Sequence, residues 1–338
     1  MAIGELSLTR RSLPALMLGL GLGLRGAIRA ATPEATPDDA PDPMWRELAP
    51  IPLARSELGV AVIGTDIYIV GGFGGGDRVD RFDTVTGTWH HVADLPVAVH
   101  HPGATALDGR IYVAGGYLIE DSTAIADVWS YDPEADAWER RTSLSTPRGA
   151  FGLVAHNGAL FAVGGAFEQL GGPATGLVER YDPGADLWVE RTSLPTPREH
   201  LAVIASEDRI FAIGGRANGD ESDAIAGANE VYDPATNRWE TLPPLPVPRG
   251  GLSGVFADGQ AIVLGGERGD QLFADVNAFD PDTGEWRSLP PMPTARHGLA
   301  AAVVGGTLYA ITGSTLAGRV DNTPVVEALT LPKESAAT

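Results

Sequence analysis

Six tryptophans, Trp45, Trp89, Trp138, Trp188, Trp239 and Trp286, each stand 27 residues before a glycine: Gly72, Gly116, Gly165, Gly215, Gly266 and Gly313. A spacing held through six copies means one structural unit repeated in register. The tryptophans are 44, 49, 50, 51 and 47 residues apart, and all of that variation falls between each glycine and the next tryptophan. One half of the unit is therefore a fixed scaffold, and the other half carries a loop that changes length.

Within each unit an alternating apolar run such as "LGVAVIG" passes through a tight turn into "DIYIVGG"; a variable loop then leads to a segment such as "VERYDP" and a short turn to the tryptophan. Period-two patterning broken by Gly, Asp, Asn and Pro describes four short antiparallel strands per unit, here a to d. An aromatic recurs before the last turn as Phe82, Tyr131, Tyr181, Tyr232 and Phe279. The 43 glycines and 26 prolines in 338 residues suit an all-β chain with many turns.

The diglycine ending a strand ("IVGG", "VAGG", "AVGG", "AIGG", "VLGG"), the Tyr-Asp-Pro turn and the spaced tryptophan resemble the kelch repeat, from Met44 to about Leu331. The sixth copy departs from the pattern, with Thr312 replacing the first glycine of the pair. The resemblance implies an all-β, six-bladed β-propeller of four-stranded antiparallel blades. After Gly313 the chain supplies one more strand, "VVEALTL", and no tryptophan. The missing outer strand of the last blade is then the segment around Trp45, so the N-terminal strand closes the ring on the last blade and removes its edge. The repeated tryptophans read as inter-blade core, each worth roughly 3–5 kcal/mol on truncation to alanine. Trp129 stands outside the series and reads as packing.

Four segments are expected. Residues 1–31, with Arg10-Arg11 before the apolar run Leu13–Leu24, resemble a twin-arginine export signal. Residues 32–43, "TPEATPDDAPDP" preceding the ring, read as a Pro/acidic linker. The propeller occupies 44–331, and 332–338 form a flexible tail. The expected location is periplasmic or secreted, with no membrane association once the signal is cleaved. A formal charge of −20 argues against nucleic acid as a partner. The absence of cysteine removes disulfides, thiolate metal sites and the cysteine-linked tyrosine of galactose-oxidase copper chemistry. No cofactor is expected, and a monomer is.

Strand parity places the b-to-c and d-to-a loops on one face. Ten residues after the tryptophans stand Arg55, Arg148, Arg198, Arg249 and Arg296, with Val99 in the remaining copy. Two readings stand: guanidinium forks that clamp an acidic ligand at the channel mouth, or forks spent on backbone carbonyls and a carboxylate of the adjacent blade. Tyr117, Arg216 and Glu267 follow their glycine pairs near the same mouth. His101 and His200 share a repeat position two past the arginine, Glu199 precedes His200, and His297 follows Arg296. These twelve residues are the candidate ligand-binding set. No metal site is expected: His90-His91 and His100-His101 lack the i, i+4 spacing of a helical zinc motif, and "DPDTGEW" lacks the glycine and bidentate glutamate of a calcium loop.

Two functions follow. The first is an exported binding protein that takes a protein, a glycan or an acidic small molecule on the loop face. The second rests on a likeness to exported bacterial kelch propellers that are sialate mutarotases, with Arg198 or Arg249 as carboxylate clamp and Glu267 with His200 or His297 as acid and base. Whether the chain is an enzyme stays open at this point.

Overall fold

The computed structural model describes residues 44–217 and 222–331. The export-type segment, the linker and the tail expected at 1–31, 32–43 and 332–338 lie outside the described residues.

The ring comprises six four-stranded antiparallel sheets. Blade 1 runs Gly59–Ile63, Asp66–Val70, Val79–Asp83 and Thr88–His91 from axis to rim. Blades 2 to 5 repeat this plan with innermost strands Gly103–Leu107, Gly152–His156, Ala202–Ala205 and Ser253–Ala257. Blade 6 contributes Ala300–Val304, Thr307–Ile311 and Val326–Thr330, and takes its outer strand from Arg46–Glu47. Arg46 pairs with Ala328 and Glu47 with Glu327, so the two ends of the ring meet in one sheet as expected.

Burial grades across each blade in the way the sequence pattern demands. The second strands, such as Ile67-Tyr68-Ile69-Val70, are buried on both faces because each lies between two neighbouring blades, and they read as continuous apolar runs. Innermost strands each include positions that are only partly buried, since one side turns toward the channel. The aromatics Phe82, Tyr131, Tyr181, Tyr232 and Phe279 are fully buried, and each packs at 4.8–5.1 Å between ring centroids against the tryptophan across from it on the outer strand.

All six tryptophans also reach the blade before their own. Their indole N–H groups donate to the carbonyls of Pro290, Ala49, Ala93, Thr142, Thr192 and Pro243, at 2.9–3.0 Å, in a cycle that includes the ring closure. In three blades the turn residue two before the tryptophan adds a second tie. Asp136, Asp186 and Asn237 each accept the hydroxyl of Tyr131, Tyr181 and Tyr232, and also the backbone N–H of Ala93, Thr142 and Thr192 in the previous blade's exit. The "DPDTGEW" turn is a local one: Asp280 Oδ1 accepts the N–H groups of Asp282 and Thr283.

Near the axis the blades are joined by two closed sets of backbone hydrogen bonds. In the wider set, the second glycine of each pair donates to the carbonyl at the arginine position of the next blade: Gly72 to Val99, Gly116 to Arg148, Gly165 to Arg198, Gly215 to Arg249, Gly266 to Arg296 and Gly313 to Arg55. A Cβ on the preceding glycine would stand 2.5 Å from the Arg148 carbonyl at Gly115, where φ is +57°, which is why the pair is diglycine. Thr312 fills that position in blade 6 at φ +50°, with its hydroxyl against the Arg55 carbonyl at 2.6 Å. In the narrower set, Glu57, His101, Ala150, His200, Gly251 and Gly298 each donate to the preceding member around the circle at 2.7–3.1 Å. All six have φ between 53° and 64°, so the chain makes the same left-handed corner at every entry to a blade.

Candidate functional site

The arginines of the repeat do not line a mouth. Arg55, Arg148, Arg198, Arg249 and Arg296 are all 0% exposed. Arg55, Arg148, Arg198 and Arg296 pair with Asp80, Glu179, Glu230 and Glu327 of their own blades at 2.5–2.9 Å. Arg249 instead meets Asn277 Oδ1 at 3.0 Å and the Gly265 carbonyl at 2.6 Å. Burial pulls these guanidiniums below their usual pKa, Arg55, Arg148 and Arg249 to about 10, and the paired acids pull back. They stay charged at neutral pH and are occupied, so the ligand-clamp reading of Arg55, Arg148, Arg198, Arg249 and Arg296 is corrected. Of the two readings it is the structural one that the geometry favours, except that the carboxylate comes from the same blade rather than the adjacent one.

The exceptional copy explains itself. Where the arginine is Val99, the acid two residues before the buried aromatic is Trp129, and the two apolar side chains belong to one packed cluster with Tyr131. An ion pair in four blades is thus an apolar pair in blade 2, the exchange that a buried salt bridge tolerates when both partners change together.

A different set of side chains converges at the axis. The left-handed corners carry Glu57, His101 and His200 toward one another: His101 Nε2 lies 2.8 Å from His200 Nε2 and 3.3 Å from Glu57 Oε2, and His200 Nε2 lies 3.9 Å from the same oxygen. Glu57 Oε1 meets His297 Nδ1 at 3.2 Å, and His297 Nε2 stands 3.5 Å from Glu267 Oε2. Arg216 bridges Glu199 and Glu267 at 3.0 Å each and approaches His200 Nε2 at 3.1 Å. Glu199 also accepts from His200 Nδ1, and Glu267 Oε2 takes the Gly318 N–H at 2.6 Å. The sequence-derived candidates His101, Glu199, His200, Arg216, Glu267 and His297 are therefore brought together.

Tyr117 is not a mouth residue. It is fully buried, packs against the rings of His100 and His101, and its hydroxyl meets the Ala166 carbonyl at 3.3 Å; burial raises its pKa. Glu57 was missed. It stands twelve residues after Trp45, the repeat position that His101 and His200 occupy in their own copies, so the same register that selected them points to it. Gly298 completes the arrangement: a Cβ there would lie 2.5 Å from Glu57 Oε1, at φ +56°, so the carboxylate needs a bare backbone beside it.

Electrostatically the cluster holds three carboxylates and one guanidinium. Burial works to raise the Glu57 carboxyl, but His101, His297 and His200 outweigh it and hold Glu57 well below the usual carboxylate range. Glu199 is held down to about 2, because His200 and Arg216 overcome its burial. Burial pulls His101 well below the usual imidazole range and His100 to about 4, while the hydrogen bond and charge of Glu57 raise His297 despite its burial. Acids held low beside imidazoles pushed in opposite directions, His101 down and His297 up, make an acid–base-capable pocket. The pocket opens below onto a cavity of about 150 Å³ whose remaining wall is small and apolar, including Gly59, Ala104, Leu153, Val203 and Leu299. The polar groups thus sit at one end of an apolar channel, on the face that carries the variable loops.

The sequence-based expectation of no metal site used spacing along the chain. The structure supplies a candidate from three different blades instead: Glu57, His101 and His200 offer ligand atoms within 4.8 Å of one another.

Comparisons with known proteins agree with this architecture. The Kelch motif family matches residues 54–96, 98–145 and 147–195, and the KLHDC2/KLHL20/DRC7 Kelch-repeats domain matches residues 180–313. Kelch-like protein 9 of Mus musculus is 28% identical over 121 residues, and Kelch-like protein 13 of Homo sapiens is 29% identical over 121 residues. Each of those matches covers 36% of this chain and 13% or 12% of the relative's own length. The solved structure of YjhT superposes with a TM-score of 0.72 at 19% identity, covering 85% of this chain and 97% of that one, a likeness of fold. Two Kelch families matched in tandem from residue 54 to 313, on six blades of one plan, place this chain in the kelch-repeat family.

Proposed function

We propose that this kelch propeller is an exported binding protein that takes a glycan or a protein segment at the channel mouth, with the Glu57, His200, Arg216, Glu267 and His297 cluster as the floor of the site. The observation that supports this reading is the placement of the cluster: side chains entering from blades 1, 4, 5 and 6 meet at one end of an apolar channel, beneath the loops that vary most. With the five repeat arginines occupied, the acid-rich floor suits hydroxyl and cationic groups better than an acidic small molecule. Glycan-array screening followed by calorimetry on any hit tests it. Arg216→Gln and Glu267→Gln each break a buried ion pair and should lower the melting temperature, so binding is read at a temperature where circular dichroism shows every variant folded, and there it should weaken at least tenfold. An empty array, together with no protein captured by the loop face in crosslinking, sinks the proposal.

The Glu199–His200 contact beside Arg216 favours a second reading, anomer exchange of a sugar acid, in which Arg216 holds the carboxylate and His200 moves the proton. Proton NMR of freshly dissolved N-acetylneuraminate decides it: no faster equilibration at micromolar protein removes this alternative. Export belongs to the proposal as well. Arg10→Lys with Arg11→Lys should retain the chain in the cytoplasm of its host, and unchanged fractionation would remove that part.

A further inference from the structure

We propose that Glu57, His101 and His200 form a site for one divalent first-row metal ion, Zn²⁺ above all, at the centre of the ring. The three ligand atoms, Glu57 Oε2, His101 Nε2 and His200 Nε2, are separated by 2.8, 3.3 and 3.9 Å. Those are the separations of atoms that share a centre about 2.0–2.2 Å from each of them. Two imidazoles and a carboxylate are a ligand set that zinc takes in sites with an open fourth position, and Glu57, His101 and His200 all line the cavity below, which has room for a fourth ligand.

The surrounding hydrogen bonds prepare the two imidazoles for this role. His200 turns its Nδ1 to the Glu199 carboxylate, which requires a proton on Nδ1 and leaves the Nε2 lone pair at the axis. His101 turns its Nδ1 to His100 Nδ1 at 2.6 Å, and His100 Nε2 continues to Ser122 Oγ at 3.2 Å. With His101 Nδ1–H donating to His100 Nδ1 and His100 Nε2–H donating to Ser122 Oγ, His101 Nε2 keeps a lone pair too, and a metal would replace its 2.8 Å hydrogen bond to His200 Nε2. In that tautomer two lone pairs and a carboxylate oxygen converge, an arrangement that a cation between them satisfies, and outer partners of this kind are what orients metal-binding imidazoles. Arg216 supplies part of the balance from one side, through its 3.1 Å approach to His200 Nε2. It keeps both Glu199 and Glu267 at 3.0 Å if that approach is given up to a metal. Three carboxylates against one guanidinium leave the cluster short of positive charge, which a divalent ion restores.

The site separates from the binding reading in its test, since it depends on the corner residues and not on Arg216 or Glu267. Tag-free protein is dialysed against chelator, then titrated with Zn²⁺ by calorimetry, with metal content measured after gel filtration and Co²⁺ absorption used to report nitrogen and oxygen ligation. One ion per chain is expected, with a melting temperature raised on zinc addition. Alanine occupies the same left-handed corner at Ala150, φ +54°, so His101→Ala and His200→Ala are backbone-compatible variants. Each should weaken zinc at least a hundredfold, Glu57→Gln at least tenfold, and the surface pair His90→Ala/His91→Ala should change nothing. Zinc that stays at one per chain in the His101→Ala/His200→Ala double variant overturns the proposal, as does less than a fifth of an ion per parent chain at tenfold excess of zinc.

Discussion

The buried arginine of blade 4 offers the sharpest test of how the ring is held. Arg198 donates to Glu230 at 2.5 Å, to the Thr196 carbonyl at 2.8 Å, to Gly214 at 2.7 Å and to Ala212 at 2.6 Å, with no exposed surface. Arg198→Val strands the Glu230 carboxylate, itself 2% exposed, leaving it the Thr196 hydroxyl at 2.8 Å among the described residues. Removing one partner of a buried pair costs about 3–5 kcal/mol. At about 2.1 cal/mol/K per residue, a ring of about 290 residues has an unfolding entropy near 0.6 kcal/mol/K, so the melting temperature should fall by about 5–8 °C. Blade 2 shows the remedy, because Val99 and Trp129 fill the same two positions. Arg198→Val with Glu230→Trp should recover at least half of the loss, a coupling of about 2 kcal/mol between adjacent sites. Far-UV circular dichroism melts of parent, single and double variants measure this without interference from the added indole. A single variant melting within about 1 °C of the parent would refute the pin, and a double variant no better than the single would refute the exchange.

Deleting Trp45 to Leu48 removes the outer strand of blade 6, the Trp45 indole bond to Pro290 and the Leu48 bond to Val326, and should lower the melting temperature by several degrees; an unchanged melt contradicts closure by that strand. Asp136 and Asp186 are held below the ordinary aspartate range, first by the hydroxyls of Tyr131 and Tyr181 and then by backbone N–H groups. Because their folded pKa values are depressed, their stabilisation is fully present above the unfolded value and is lost as pH falls through the folded one. Stability should therefore drop below about pH 4, and Asp136→Asn with Asp186→Asn should flatten that limb of a melting-temperature profile from pH 2 to 6, since Asn237 already does the same work as an amide. Gly215→Ala should destabilise by more than about 1 kcal/mol in urea titration, because φ is +112° and the new Cβ would stand 2.8 Å from the Glu199 carbonyl.

The fold was legible because every copy repeats the same solution: the fixed tryptophan-to-glycine distance, the diglycine and the missing last outer strand together define six blades and their closure. The site was legible only in part. Register picked out His101, Glu199 and His200, and position after the diglycine picked out Arg216 and Glu267. Register also promoted the arginines, because a repeated polar residue near a mouth looks the same in sequence whether its fork faces the axis or its own third strand. The partner acid would have told them apart: Asp80, Glu179, Glu230 and Glu327 recur two residues before the position of the buried aromatic, and Trp129 replaces the acid only where Val99 replaces the arginine. The joining of Glu57 to His101 and His200 depends on a left-handed corner that turns side chains at one repeat position toward the axis, a geometry no spacing along one strand discloses.

The two circles of backbone hydrogen bonds close between Gly313 and Arg55 and between Gly298 and Glu57, quite apart from the strand that joins the termini at the rim. A ring fastened separately at axis and rim has no privileged seam. New termini cut into any turn on the opposite face, with the old ends linked, should leave every inward fastening intact, whereas adding or removing one repeat would have to re-form both circles at another circumference. Blade number is consequently the property of this architecture least open to gradual change, while the place where the chain starts is among the freest.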